Sequence, residues 1–351
     1  GRYHHRPHPV TGMHVIPNGY RPLARGTDHT VPARVNLLLG RGTKTFSFFT
    51  YGPTARGTID FWGDNAPAMR GVADATGMVG HPKIEPYLHA GQPVPAQACL
   101  LYGTTAERWQ HANDAHRCNQ EKQYTYMMVQ QEQIPLEIID TFDLERFIDR
   151  YRTAILIDWN LRRESGRALR EWVEGGGVLL LWPDAGSRDK YNEPYSPFPE
   201  AGEPGEHPVG KGLVIRLDTI PGHAWWERSR EMSRETGSFW ASEFDSRHRR
   251  TVTRLLLGPG NVERPVTVSE TAVVANAVVS ERGVAVPLVN LRGVQEEFAT
   301  TYEEITLTLT DGAGVKSALS SRHGKLKLHR EGKGVSVKLP LAATDVVVFA
   351  R

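Results

Sequence analysis

The chain has 351 residues, of which 39% are hydrophobic and 23% charged, so it can bury a large core and is long enough for two or three domains. Lys and Arg number 42 against 40 Asp and Glu, a near balance that argues against a nucleic-acid-binding protein relying on a strong positive field. No apolar run approaches the roughly 20 residues of a bilayer span, and no segment resembles a signal peptide. We therefore expect a soluble chain without a nucleic-acid or membrane partner, and its compartment stays open.

The first predicted region, residues 1–90, contains one βα unit. VNLLLGRG (35–42) is typical of a helix end with a glycine stop, and TKTFSFFTYG (43–52) is typical of a strand. The loop PTARGTIDFWGDNAP (53–67) follows, and AMRGVADATGMVG (68–80) predicts a helix. The order strand, loop, helix indicates part of an α/β fold.

The second predicted region, residues 91–222, alternates helices with apolar strands. The predicted strands are ACLLYG, PLEIIDT, TAILIDW and VLLLWPD, and the predicted helices between them are YTYMMVQQEQI, FDLERFIDRY and ESGRALREWVEGGG. This rhythm predicts an α/β domain with a parallel, flavodoxin-like sheet covered on both faces. VGKGLVIRLD (209–218) predicts a further strand at the sheet edge.

Three consecutive glycines, Gly175 to Gly177, stand between a predicted helix and a predicted strand. A phosphate-binding loop needs the opposite order, in which glycines follow a strand and precede a helix whose amides face the anion. We therefore interpret these glycines as a helix terminator, where the left-handed backbone favours glycine. No nucleotide or other cofactor is expected.

The last third of the chain changes character twice. Residues 223–258 predict a helical connector that carries Trp225, Trp226 and Trp240. Residues 259–351 alternate apolar and polar residues between turns such as Asp311-Gly312, and they predict an antiparallel β-sandwich.

The sequence gives little support for a catalytic nucleophile or for a metal site. No G-x-S-x-G elbow is present, and Cys99 and Cys118 stand where ordinary thiols are expected, so an amidotransferase would lack its nucleophile. The cluster His4, His5 and His8 contains enough imidazoles for zinc or copper, but no H-E-x-x-H motif accompanies it. We expect no metal site and interpret His4 and His5 as loop residues that hydrogen-bond a polar ligand.

The loop after the first clear strand has the composition of a sugar site. Tyr51 and Trp62 supply aromatic faces for the C–H face of a pyranose, while Arg56, Asp60 and Asp64 suit its hydroxyls. In the alternative interpretation, Trp62 fills a core edge and the aspartates cap the next helix.

The order of these segments resembles the C-terminal portion of glycoside hydrolase family 42, the β-galactosidases. The segments concerned are LLLGRGTKTFSFFTYGP, LREWVEGGGVLLLWPD and LPLAATDVVVF. The resemblance implies the end of a TIM barrel, then an amidotransferase-like α/β domain that helps to build a trimer, then a small β-domain.

The sequence departs from the pattern of that family in two respects. Tyr51 stands where the family's last barrel strand often carries a substrate-stacking Trp. The family's two catalytic glutamates lie on barrel strands, whereas the first Glu of this sequence is Glu85. The resemblance therefore implies that both catalytic glutamates lie outside this chain, which has room for only the last one or two βα units of a barrel of ~250 residues.

Three functions remain open. The chain is part of a carbohydrate-active glycosidase, supplying a substrate-facing loop and an oligomerisation domain, with either a homo-oligomer (trimer) or a companion barrel segment as partner. Alternatively, it is a non-catalytic carbohydrate-binding or scaffolding protein that holds sugar on Tyr51 and Trp62. In the third case it is a polysaccharide lyase that uses His4, His5 or His8 with Tyr51 as acid and base groups.

Overall fold

The computed structural model describes residues 12–15, 29–48, 67–112, 117–236, 246–292 and 301–351. The helices are α1 (Thr30–Leu39), α2 (Pro67–Val79), α3 (Glu85–Ala90), α4 (Thr104–Ala112), α5 (Arg117–Gln131), α6 (Leu144–Phe147), α7 (Arg163–Glu174), α8 (Pro221–Thr236) and α9 (Ser246–Leu257). The strands of the first two-thirds are β1 (Gly12–Val15), β2 (Thr45–Phe48), β3 (Gln92–Pro93), β4 (Ala98–Tyr102), β5 (Leu136–Asp140), β6 (Thr153–Leu156), β7 (Val178–Leu181), β8 (Gly205–Val209) and β9 (Gly212–Arg216). The later strands are β10 (Val266–Val268), β11 (Val273–Ala275), β12 (Val278–Ser280), β13 (Gly283–Asn290), β14 (Tyr302–Leu309), β15 (Ser317–Ser320), β16 (Gly324–Leu326), β17 (His329–Glu331), β18 (Gly334–Leu341) and β19 (Thr344–Ala350).

The described residues divide into two compact units. The first, which we call the α/β unit, comprises residues 95–112, 117–232 and 246–263. The second, the β-rich unit, comprises residues 12–15, 29–48, 67–94, 233–236, 264–292 and 301–351. The finer division into four ranges stays a prediction.

The sheet of the α/β unit is mixed rather than purely parallel. Its strand order is β5-β4-β6-β7-β9-β8, and every neighbouring pair is parallel except β8 with β9. The sequence prediction placed VGKGLVIRLD at the edge as one strand. The structure corrects this, because residues 205–216 form a hairpin whose second strand pairs with β7 and whose first strand becomes the antiparallel edge. The short Gly210 turn, at φ +60°, makes the hairpin possible.

Both faces of this sheet are covered, which explains its continuous apolar strands. All four residues of β6 and the first four of β4 are buried. Helix α7 buries Leu169, Trp172 and Val173 in the same core. A strand covered on both faces gains from an apolar residue at every position, whereas a half-exposed strand alternates.

The triple glycine ends α7 and leads into β7, as the sequence predicts. The amide of Gly175 donates to Glu171 O at 3.0 Å, and Gly176 adopts φ +125°, a region that favours glycine. A Cβ on Gly177 would overlap the indole of Trp172. Val178 then begins β7. The glycines therefore serve the backbone turn and the packing of Trp172.

The β-rich unit contains the antiparallel strands that the sequence predicts, in two sheets. One sheet has the order β10-β14-β18-β17. The larger sheet has the order β16-β15-β19-β13-β12-β3, with β11 also paired to β13. Apolar side chains of both sheets, such as Leu307 and Val337 of the first and Val286 and Phe349 of the second, form one core. The two sheets therefore pack face to face.

Helices α1, α2 and α3 cover the other face of the larger sheet. Val35, Met78 and Leu88 of these helices share a core with Ala285 and Val348 of the sheet. This second cover explains why all eight residues of β13 are buried. The part of the predicted barrel segment that is described thus includes helices that pack on a β-sheet, together with the parallel pair of β1 and β2.

Candidate functional site

The sequence-predicted sugar site falls outside the described residues. Its members are Tyr51, Arg56, Asp60, Trp62, Asp64, His4 and His5. In chain order the predicted loop lies between β2 and α2, so the predicted strand before it and the predicted helix after it are both present. The interpretation of these seven residues as a site stays a prediction.

A second place for a site is the carboxyl edge of the parallel sheet. The chain runs from β4 outward to β5 and then returns to the other side of β4 to form β6. In open α/β sheets, ligands bind outside the carboxyl ends of the strands at such a switch point. Gly103, Asp140 and Asp158 lie at or just beyond the ends of the three strands.

Asp158 is the centre of a buried polar cluster at this edge. Its carboxylate accepts from Lys122 Nζ at 2.8 Å, from the amide of Gly103 at 2.7 Å and from Gln110 Nε2 at 3.4 Å. Burial raises the pKa of Asp158, while the Lys122 ammonium and these hydrogen bonds act in the opposite direction. The same ammonium lies 4.3 Å from the centre of the Tyr102 ring. The position after β6 is therefore filled by an ion pair and not by an open nucleophile.

A second buried carboxylate, Glu121, joins three segments of the chain. It accepts from Trp182 Nε1 at 2.6 Å, from the amide of Gly222 at 2.8 Å and from the amide of His223 at 2.7 Å. Nδ1 of His223 also lies 2.7 Å from Glu121 Oε2. A Cβ on residue 222 would come within 2.7 Å of Glu121 Oε1, so glycine is required there. This network fixes the start of α8 against α5 and the end of β7.

Neither cysteine is suited to nucleophilic chemistry. Cys99 lies within β4 and Cys118 within α5, and both are buried. Burial raises the pKa of Cys99 well above its usual range and that of Cys118 to about 12, so both thiols are protonated near neutral pH. Neither thiol is therefore placed to act as the nucleophile of an amidotransferase.

Within the described part of the chain, no group of three or more His, Cys, Asp or Glu side chains is placed to hold a metal ion. No helix there combines the length and the apolar character that a bilayer crossing would need.

Sequence reasoning missed the Lys122–Asp158 and Glu121–His223 pairs. The sequence could have indicated Asp158, since an acidic residue directly after the buried strand TAILI lies at the carboxyl edge of the sheet. No sequence pattern indicated Lys122 or Glu121, because they belong to a polar stretch whose helical start at Arg117 was not predicted. His223 contacts Glu121 across 101 intervening residues, and spacing alone does not reveal such a contact.

Comparison with known proteins identifies the fold. No protein-family model and no curated protein sequence matches the chain. Solved structures do match: a catalytic mutant of a GH42 β-galactosidase from G. stearothermophilus gives a TM-score of 0.65 at 14% identity, covering 97% of this chain and 54% of that one.

Two further β-galactosidases give the same result. The enzyme from Bacillus circulans sp. alkalophilus has a TM-score of 0.65 at 11% identity, covering 96% of this chain and 55% of its own. The enzyme from Rahnella sp. R3 has a TM-score of 0.65 at 12% identity, covering 97% of this chain and 54% of its own. The predicted resemblance is therefore confirmed at the level of the fold, and the chain spans about half the length of the structures it matches.

Proposed function

We propose that this chain is part of a carbohydrate-active glycoside hydrolase of the β-galactosidase type. The observation that carries the proposal is the fold likeness, which extends over 97% of the chain in a GH42 β-galactosidase. A likeness over both units supports a shared architecture better than a match to one common domain does. The substrate class is accordingly a β-linked carbohydrate.

Each part of the chain has its own role in this proposal. The parallel pair of β1 and β2 with the loop 49–66 is the end of a barrel, and that loop presents Tyr51, Arg56, Asp60, Trp62 and Asp64 to the sugar. Active sites of barrels lie on the loops that follow strands, which supports this placement. His4 and His5 are further polar contacts of the same ligand.

The α/β unit is the amidotransferase-like domain of the proposal. Its order β5-β4-β6-β7 corresponds to the flavodoxin-like order 2-1-3-4, which supports that assignment. Because its carboxyl edge is closed by the Lys122–Asp158 pair, the unit has an assembly role, in a trimer, and not a catalytic one.

The catalytic carboxyl pair comes from outside this chain. A retaining glycosidase needs two carboxyl groups about 5 Å apart, one as acid/base and one as nucleophile. The first Glu of the sequence is Glu85, in helix α3, which lies against a β-sheet core. This chain therefore supplies binding and assembly, and a companion segment supplies the glutamates.

The test compares the chain alone with the chain plus a barrel segment that carries the glutamates. We expect no hydrolysis of an aryl β-galactoside by the chain alone and turnover by the combination. Turnover should fall at least tenfold on Trp62→Ala, but not on Tyr191→Ala, an aromatic that is 68% exposed in the α/β unit. Turnover by the chain alone, or none by any combination that assembles, would contradict the proposal. Light scattering of the assembly measures whether it is a trimer.

A further inference from the structure

A groove of about 500 Å³ lies in the β-rich unit, beside helix α3 and away from the loop 49–66 in sequence. Its apolar floor contains Leu319 of β15 and Val348 and Ala350 of β19. Strand pairing places Leu319 opposite Val348, and Val348 opposite Ala285 of β13. Since paired residues point to the same face, the floor belongs to the face of the sheet that the helices cover.

The wall of the groove is held rigidly by the segment around α3. Pro82, Pro86 and Tyr87 line it. The same segment anchors Ile84, which is fully buried, and Leu88 in the core beneath. Two prolines and two buried anchors restrict this backbone, so the Tyr87 ring and the proline rings form a preorganised apolar surface.

Three cations surround this apolar surface. Lys83 precedes α3, Arg282 lies in the turn between β12 and β13, and Lys325 belongs to the edge strand β16, opposite Leu319. All three side chains are exposed. They come from separate parts of the chain, so their convergence on one groove is a product of the fold.

The cations have no carboxylate partner within the described chain. No acidic residue is among the described residues that line the groove. Glu85 and Glu281 are close in sequence, but neither lines the groove, and neither forms an ion pair with the three cations in the described part of the chain. Elsewhere in the same unit exposed cations do pair, as Lys338 does with Glu304 at 2.6 Å. The groove is therefore arranged for an external anion.

We propose that this groove binds an anionic saccharide, with its carboxylate or sulfate groups at Lys83, Arg282 and Lys325. The C–H face of the sugar packs on Tyr87 and the apolar floor. A small inorganic anion would leave the apolar surfaces unused, which favours a sugar that carries the charge. The choice of a saccharide among organic anions rests on the proposed function. The groove thus acts as an accessory glycan site that selects acidic substrates.

The experiment is titration calorimetry of the full chain at low salt. The probes are an oligogalacturonate, a sulfated galacto-oligosaccharide, a neutral galacto-oligosaccharide of equal length and inorganic sulfate. The test variant carries Lys83→Gln, Arg282→Gln and Lys325→Gln. The control variant carries Lys211→Gln, Arg254→Gln and Lys333→Gln, which remove the same charge at exposed positions away from the groove lining.

We expect at least one acidic oligosaccharide to bind to the parent chain. Its affinity for the test triple should be about 30-fold lower, because each exposed charge contact contributes about threefold. The control triple should retain the affinity of the parent chain for the acidic oligosaccharide. The neutral sugar should not bind at the groove. Equal losses in both triples, equal binding of the neutral sugar, or binding of sulfate alone would each overturn the proposal.

A second measurement separates this proposal from the proposed function. Hydrolysis of the small aryl β-galactoside by the assembled enzyme does not involve the groove, so we expect the test triple to retain it. Acidic-glycan binding without hydrolysis in any assembly would contradict the glycosidase role alone. Hydrolysis without groove-dependent binding would contradict the accessory site alone.

Discussion

Nζ of Lys122 lies 2.8 Å from Oδ1 and 3.0 Å from Oδ2 of Asp158, and side-chain exposure is 6% for the lysine and 0% for the aspartate. This ion pair occupies the switch point of the α/β sheet, where related topologies place a ligand. The buried pair therefore contributes to the conformation of the α/β unit.

Removal of one member of this pair should destabilise the protein strongly. Asp158→Asn or Lys122→Met leaves one charge buried without its partner, and we expect a loss of about 3–5 kcal/mol in the free energy of unfolding. The double variant Lys122→Met/Asp158→Leu should recover much of this loss because no charge is then left buried. Urea denaturation followed by circular dichroism measures both.

The matched control is the exposed pair of Lys338 and Glu304. Lys338→Met should change stability by less than about 1 kcal/mol, because water screens the remaining carboxylate. If Asp158→Asn were no more costly than this control, the pair would not be a structural element of the sheet edge.

The three glycines after α7 should differ in their tolerance of alanine. Gly176→Ala places a Cβ at φ +125°, and Gly177→Ala overlaps the Trp172 indole, so we expect losses of about 1–3 kcal/mol each. Gly175 has φ −74°, and its Cβ would contact only backbone oxygens at 3.3 Å or more, so Gly175→Ala is the control, with a change below about 1 kcal/mol. Thermal unfolding of the three variants ranks them. An equal effect at all three positions would contradict the assigned roles.

Local signals were enough to predict much of the fold. The strands TAILIDW and VLLLWPD were recognisable because burial on both faces demands continuous apolar residues. The triple glycine was recognisable as a helix terminator because it follows a predicted helix and precedes a predicted strand. In contrast, helix α4 was not predicted, since its sequence TTAERWQHA is polar, and β15, with the sequence SALS, is too short for a clear alternation.

Long-range packing set the limit of the sequence predictions. The βα order of residues 1–90 indicated part of an α/β fold, and the family resemblance implied the end of a barrel. No local pattern shows that α1, α2 and α3 cover a sheet whose strands, apart from β3, lie more than 180 residues later. The apolar run of β19 hinted at such a cover, because an alternating strand would have sufficed for a sandwich with one solvated face. Lys122 and Asp158, like Glu121 and His223, meet only in the folded chain, and periodicity carries no information on which charges pair.

The reactivity of Cys118 should report the integrity of the α/β unit. Burial, aided by the nearby Asp158 carboxylate, raises its pKa from 9.0 to about 12. At pH 8 the thiolate fraction is then about 1,000-fold smaller than in the unfolded chain, and alkylation by iodoacetamide should be slowed at least as much. Mass spectrometry of the native and urea-unfolded protein measures the labelling. Fast labelling of the native protein would contradict the buried placement.

The same shift gives a pH dependence of stability. Between pH 9 and about 12 the unfolded thiol has lost its proton while the folded thiol retains it, so the unfolded state binds fewer protons. This contribution to stability is complete below pH 9 and is lost as pH rises towards 12. Cys118→Ala should show a shallower fall in unfolding free energy over that window than the parent chain.

Asn36 provides a test of how α1 is held on the larger sheet. Its Nδ2 donates to the carbonyl of Leu288 in β13 at 3.1 Å and to that of Asp345 in β19 at 3.2 Å, and these two residues are register partners. Asn36→Ala removes both bonds from a buried position, and we expect a loss of about 1–3 kcal/mol.

Asn36→Asp should cost more than Asn36→Ala, because it turns a buried donor into a carboxylate that faces two carbonyl oxygens. The exposed Gln123→Glu on α5 is the matched change of amide to carboxylate, and it should be nearly neutral. Raising the ionic strength should not rescue Asn36→Asp, since salt screens exposed charges far better than buried ones. Equal stability of Asn36→Asp and Gln123→Glu would show that α1 does not depend on this contact, and the helix-covered face of the sheet would then be held by apolar packing alone.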